Sequence, residues 1–208
     1  MFITFEGIDY SGKSTQAKLL VDVLRQQRYE TVLLREPGGT PVSEKVRELV
    51  LDKKHLELTQ RTELLLFSAA RSQLVSEIIR PALDAGTIVV CDRFYDSTTA
   101  YQGYGRGIDL ADVASLNTIA TAGLVPDLSI FVDVTVDEII RRQHVANVPV
   151  DRMESAGREF FERVRAGYHA IAKAEPLRWH IVDGIRSVDV IHKEIVSVVQ
   201  SRLSHSGV

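Results

Sequence analysis

Residues 2–15, FITFEGIDYSGKST, decide how the rest of the chain is read. An apolar run from Phe2 to Phe5 leads into GxxxxGKS, with Gly7, Gly12, Lys13 and Ser14 in the required places, and a helix-like pattern follows. The glycines let the loop curl so that successive backbone N–H groups point inward, where side chains would block phosphate oxygens. Lys13 supplies a point charge for the β and γ phosphates and Ser14 a hydroxyl for Mg²⁺, while a helix starting near Lys13 aims its positive end at the anion. The loop Gly7, Ile8, Asp9, Tyr10, Ser11, Gly12, Lys13, Ser14 and Thr15 is therefore assigned to ATP. A glycine turn beside a chance lysine would not need four fixed positions and both flanking elements to agree.

Composition narrows what surrounds this loop. A chain of 208 residues suits one domain, 1–208, with a full core. Hydrophobic residues at 45% and charged ones at 25% describe a globular chain, and no apolar run approaches a membrane span. A net charge of −3 gives no broad basic footprint, which argues against nucleic acid as a partner. The one cysteine, Cys91, cannot form an internal disulfide, and the N-terminus lacks a signal-peptide pattern; a reducing cytoplasm is expected. The six histidines are scattered, so no structural zinc is expected.

Working outward, apolar runs predict strands over 2–6, 31–34, 87–91, 128–132 and 179–182. Helical spacing follows the loop at Ala17, Leu20, Val21 and Leu24, then recurs over about 42–51, 60–83 and from Val188 onward. Strands alternating with helices predict an α/β fold: a five-stranded, mostly parallel sheet covered by helices on both faces, the three-layer α/β/α arrangement of P-loop NTPases. Ligands then belong at the carboxyl ends of the strands, where Gly7, Arg35 and Asp92 all fall.

Asp92 closes an apolar strand, the context of the second metal-holding acid, and with Ser14 it is assigned to Mg²⁺. Taken alone, a strand-end aspartate would rather cap a turn, but the P-loop upstream favours the metal role. Arg93 and Arg35 are placed to grip a phosphate, or else to form surface ion pairs. Leu64, Phe67, Arg71, Leu74 and Ile78 share one helical stripe, which leaves Arg71 on an apolar face in need of an acceptor. A nucleobase stacked on Phe67 would supply it; Phe67 as plain core with Arg71 snorkelling to a surface carboxylate fits the spacing equally well. Residues Ser97 to Gln102 read as a polar loop, and Gly103 to Gly107 as a turn.

The stretches FEGIDYSGKST, LREPGGT, LLFSAAR, DRFYDSTTAYQGYGRGID and DRMESAGREFFERVRAGY, in this order from Met1 to at least Tyr168, resemble bacterial thymidylate kinase. The resemblance implies a nucleoside monophosphate kinase fold, transfer of the γ-phosphoryl of ATP to dTMP, Mg²⁺ as cofactor and a homodimer packed through helices. It implies that Phe67 stacks on thymine, Arg71 bonds its carbonyl, and Arg93 and Arg35 hold the dTMP phosphate. Thr98 and Gln102 would lie near the base, Tyr101 where a 2′-hydroxyl would clash, and Asp9 at the sugar 3′-hydroxyl. Asp151 and Glu154 would fall in a lid, about 141–154. Similar chains carry a catalytic arginine in the P-loop or the lid; Tyr10 takes the P-loop position here, which leaves Arg141, Arg142 and Arg152, with Arg142 and Arg152 joining Lys13, Asp9 and Arg93 as the catalytic set.

Two other functions remain in view from the sequence. One is a kinase of a different nucleotide, such as dUMP; the other is a nucleotide-dependent switch. The chain has no Asn-Lys-x-Asp guanine-reading motif, and a switch has no use for the Phe67/Arg71 pair.

Overall fold

A computed structural model describes residues 1–147, 152–153 and 156–206. Five strands, β1 (Phe2–Glu6), β2 (Thr31–Arg35), β3 (Ile88–Asp92), β4 (Leu128–Asp133) and β5 (Trp179–Asp183), form one sheet in the order β2-β3-β1-β4-β5. Every pairing is parallel, so the sheet expected to be mostly parallel is parallel throughout. Register aligns Phe5 and Arg35 with Asp92, and Glu6 with Phe131. The carboxyl ends of the central strands therefore open onto one edge, where the P-loop leaves β1.

Alternation along the strands sorts the two faces. Ile3 and Phe5 of β1, Ile88 and Val90 of β3, and Ile130 and Val132 of β4 pack against α1 (Lys13–Gln26) and α9 (Val188–Ser206). There Ala17, Leu20, Val21 and Leu24 meet Ile191, Ile195, Val199 and Leu203. Fully burying a leucine such as Leu20 contributes about 1.5–3 kcal/mol. On the other face Phe2, Val89 and Cys91 pack on Leu74, Val75, Ile79 and Phe94. Phe131 stacks there on Tyr168, with ring centroids 5.0 Å apart. Glu6 belongs to this second face, so a carboxylate stands where the period calls for a core side chain.

The remaining helices build the walls of the site. Thr40 accepts from the Ser43 N–H and Thr59 from the Thr62 N–H, which starts α2 (Pro41–Leu51) and α3 (Gln60–Leu74) with side-chain caps. The helix expected over 60–83 is interrupted by a π turn at Val75–Ile79 before α4 (Arg80–Asp84). Pro81 cannot donate to the carbonyl one turn back, and the chain widens just ahead of it.

The polar loop expected at 97–102 is instead helical. α5 (Tyr95–Thr98) runs directly into a second π turn, Thr99–Gly105, which also takes up the first residues of the expected turn at 103–107. Its glycines admit a close neighbour: a Cβ on Gly105 would lie 2.7 Å from the Phe160 ring of α8 (Arg158–Ala174). Polar composition misled because these polar groups face a pocket rather than water. After α6 (Leu110–Thr121) and β4, α7 (Val136–Ala146) ends at Asn147 in a left-handed conformation.

Candidate active site

Gly7 and Gly12 have φ values of 141° and 99°, which a side chain rarely adopts. A Cβ on Gly7 would stand 2.8 Å from the Val132 carbonyl oxygen, whereas one on Gly12 would meet no atom within 4 Å. Gly12 thus borders open space at the start of α1, and no side chain caps its first-turn amides. Those amides are left for an anion.

Asp9 gathers the cations beside this cradle. Its Oδ1 accepts from Lys13 Nζ at 3.2 Å and from Arg93 Nη2 at 2.8 Å, and its Oδ2 accepts from the Tyr101 hydroxyl at 3.4 Å. Burial alone would raise the Asp9 carboxyl, but Arg93 and Lys13 outweigh it and hold it below the usual carboxylate range. The Tyr101 ring also carries the Arg93 guanidinium carbon 5.0 Å from its centroid. Burial pushes the Tyr101 phenol up, so it stays a neutral hydroxyl.

Ser14 donates to Asp92 Oδ2. Asp92 Oδ1 is buried and has no hydrogen-bond partner among the described residues. An orphaned carboxylate oxygen beside a hydroxyl, at the edge of a phosphate cradle, fits a hard cation that takes its remaining ligands from water and phosphate.

One cavity joins this cluster to the residues expected to read a base. Asp9, Arg93, Phe67, Arg71, Thr98, Tyr101 and Gln102 all line it, so seven residues singled out in the sequence meet in one place. Arg71, at 3% exposure, neither snorkels nor waits unpaired. Its Nε donates to Glu36 Oε2 at 2.7 Å and its Nη2 to Thr98 Oγ1 at 2.9 Å. Burial raises the Glu36 carboxyl to about 7 even with Arg71 pulling the other way. Gln102 is fixed through Nε2 to Glu63 Oε1 at 2.8 Å.

Arg35 is not among the lining residues. Its guanidinium forks onto Glu44 at 2.9 and 3.0 Å and reaches the Pro37 carbonyl at 2.8 Å. The arginines expected in a lid diverge. Arg142 donates to the carbonyls of Tyr10 and Ser11, both at 3.2 Å, and of Gly184 at 2.8 Å. Arg141 is exposed and paired with Glu138. Arg152 binds Glu63 Oε2 at 2.6 Å and the Val50 carbonyl at 2.8 Å, beside the base cavity. Asp151 and Glu154 lie outside the described residues.

Glu36, Arg47, Ser97 and Met153 also line the cavity and went unassigned in the sequence. Glu36 had a signal, since it follows Arg35 at the carboxyl end of β2; the others owe their places to tertiary packing.

Known proteins match this chain in sequence and in fold. A family model described as Thymidylate kinase matches residues 5–195. The thymidylate kinase of Chlorobaculum parvum is 49% identical over 97% of this chain and 96% of its own length, and that of Roseiflexus castenholzii 44% identical over 98% and 94%. The crystal structure of thymidylate kinase from Ehrlichia chaffeensis superposes with a TM-score of 0.78 at 41% identity, covering 96% of this chain and 98% of that one. Matched in sequence from the P-loop to α9 and in fold over nearly its whole length, the chain belongs to the thymidylate kinase family.

Proposed function

We propose that the chain transfers the γ-phosphoryl group of ATP to dTMP, giving dTDP and ADP for dTTP synthesis. The observation that carries this reading is that Asp9 and Arg93, which belong to the phosphate cluster, line the same cavity as Phe67 and Arg71. The P-loop acid and the arginine beside it therefore border the same cavity that would take the base.

In this reading a dTMP phosphate oxygen attacks the γ-phosphorus, the bond to the β-bridging oxygen breaks, and ADP leaves with the electron pair. The loop amides and Lys13 hold the donor phosphates, and Arg93 pairs with the acceptor phosphate, which brings the two anions together. Asp9 takes the 3′-hydroxyl, Phe67 stacks on thymine, and Arg71, braced by Glu36 and Thr98, donates to a base carbonyl. Tyr101 fills the space of a ribose 2′-hydroxyl, and Gln102 borders the base. Mg²⁺ held by Ser14 and Asp92 would neutralise charge on the β and γ phosphates. Arg142 is the lid cation that reaches the P-loop, and Arg152 docks the lid onto the base pocket.

The chain is read as one domain that works as a homodimer, supported by the exposed apolar side chains Val42, Leu49 and Leu65 on α2 and α3. Among the described residues no helix is long and apolar enough to cross a membrane, and the buried free thiol of Cys91 suits a reducing cytoplasm.

The test is ADP formation with ATP and Mg²⁺, comparing dTMP, its ribose counterpart, dUMP, UMP and no acceptor. Turnover with dTMP, weaker with dUMP and minimal with ribonucleotides is expected; hydrolysis without an acceptor would discard the acceptor site.

A further inference from the structure

Glu6 ends β1 wholly buried, yet the phosphate chemistry above makes no use of it. Its Oε1 accepts the Phe94 N–H at 2.8 Å, and its Oε2 accepts from the hydroxyls of Ser97 at 2.6 Å and Tyr168 at 3.1 Å. The same two hydroxyls accept from Arg93 Nη1, at 3.0 and 3.3 Å. They lie 2.8 Å from each other.

A hydroxyl has one hydrogen to give. With Ser97 donating to Glu6, Tyr168 donates either to Glu6 or to Ser97, and in both cases only lone pairs face Arg93. The carboxylate thus sets the polarity of both hydroxyls, and the hydroxyls hold the guanidinium from the side opposite Asp9 and Tyr101. The backbone is tied as well. Arg93 has φ 73°, a left-handed conformation unusual for a side-chain-bearing residue. Its own N–H is fixed to the Phe5 carbonyl at 2.9 Å, and the next N–H, that of Phe94, to Glu6. Asp96, the other buried carboxylate nearby, is not an alternative, because Arg178 takes it at 2.6 and 3.0 Å and Ser129 at 3.3 Å.

A buried carboxylate costs far more than a leucine at the same place unless its hydrogen bonds serve some purpose. We propose that Glu6 is a positioning residue for the acceptor-phosphate grip: acting through Ser97 and Tyr168, it holds the Arg93 guanidinium in the one orientation that meets the dTMP phosphate. The inference rests on the reading of Arg93 as the residue that binds that phosphate.

The experiment is calorimetric binding of dTMP and of thymidine, which lacks the phosphate, to the wild-type protein and to Glu6→Gln and Tyr168→Phe, together with KM for both substrates. Glu6→Gln is expected to weaken dTMP about tenfold or more and Tyr168→Phe by less, because hydrogen bonds to a charged partner are lost. Thymidine binding and the KM for ATP stay within about twofold. Equal losses for dTMP and thymidine, or no loss for dTMP, would overturn the proposal. Should Glu6→Gln not fold, Tyr168→Phe carries the same comparison, since it leaves the ring packing on Phe131 in place. A wild-type protein that binds dTMP no better than thymidine would instead overturn the acceptor-phosphate reading itself.

Discussion

Arg93 Nη2 lies 2.8 Å from Asp9 Oδ1, an ion pair that joins the end of β3 to the P-loop across 84 residues of chain. Lys13 shares that oxygen. One carboxylate therefore lies between two cations that would repel each other, at the place where the proposed reaction brings two sets of phosphates together. Asp9 stays ionised because of the same cations, so the arrangement is preorganised before substrate arrives and needs little rearrangement when it does.

Lys13→Ala is expected to remove most of the transfer while leaving the fold intact. The ammonium is buried at 5% exposure with Asp9 as its ion-pair partner, and it is the point charge nearest the cradle. Losing one preorganised electrostatic contact of this kind lowers kcat by about 100- to 1,000-fold. Asp9 keeps Arg93, so a thermal melt should move only a few degrees. Activity near wild type would remove Lys13 from the phosphate site.

Arg71→Ala is expected to act on the nucleoside end alone. The guanidinium is anchored by Glu36 and Thr98 and faces the same cavity as Phe67. KM for dTMP should rise about 10- to 100-fold, as for a lost charge-assisted hydrogen bond, with the KM for ATP nearly unchanged. A parallel rise in both constants would point to collapse of the pocket, since Glu36 would be left buried and unpaired.

The fold was largely legible because its signals are local and periodic. Five apolar runs separated by helical stripes placed every strand end to within a residue, and the GxxxxGKS spacing placed the phosphate cradle. Phe67 and Arg71 were legible as a pair, since an arginine on an apolar stripe demands an acceptor. Three things were hidden, each for a physical reason. The helix at 95–105 was masked by side chains whose polarity serves the cavity. Arg35 was expected at a phosphate, and its pairing with Glu44 on the adjoining helix could be read only from the fold. Glu6 stood inside the P-loop stretch itself, and only the packing of Ser97 and Tyr168 over β1 gives it a role.

Stability is expected to fall as pH rises through neutrality, with Glu36 as one source. Its carboxyl is raised by burial from 4.5 to about 7. Between those values the folded chain binds a proton that the unfolded chain has released, so this contribution is complete below about pH 4.5 and is lost as pH passes 7. Glu36→Gln mimics the neutral carboxyl and should flatten part of the decline. The gap in urea-unfolding free energy between variant and wild type should change by a few kcal/mol from about pH 5 to about pH 8, each tenfold of proton affinity being worth about 1.4 kcal/mol. Parallel curves would show that Glu36 does not hold its proton.

The three lid arginines are expected to separate by where their guanidinium groups sit. Arg141 is 64% exposed and bound to Glu138, a surface pair worth about 0–1 kcal/mol, so Arg141→Ala should leave both kinetic constants within about twofold. Arg152→Ala removes one of the two arginine partners of buried Glu63, which also binds Arg106 and holds Gln102; KM for dTMP should rise while KM for ATP does not. Arg142→Ala cuts the ties from α7 to the Tyr10, Ser11 and Gly184 carbonyls. The P-loop then loses the brace next to its anion cradle, and kcat and the affinity for ATP should both fall, kcat by about 10- to 100-fold as transition-state charge loses its support. The three responses are distinguishable in one steady-state series with both substrates varied. If Arg141→Ala were the damaging change and Arg142→Ala the silent one, the lid would have to rearrange fully before transfer, and the ties of Arg142 to the P-loop would belong to a resting state.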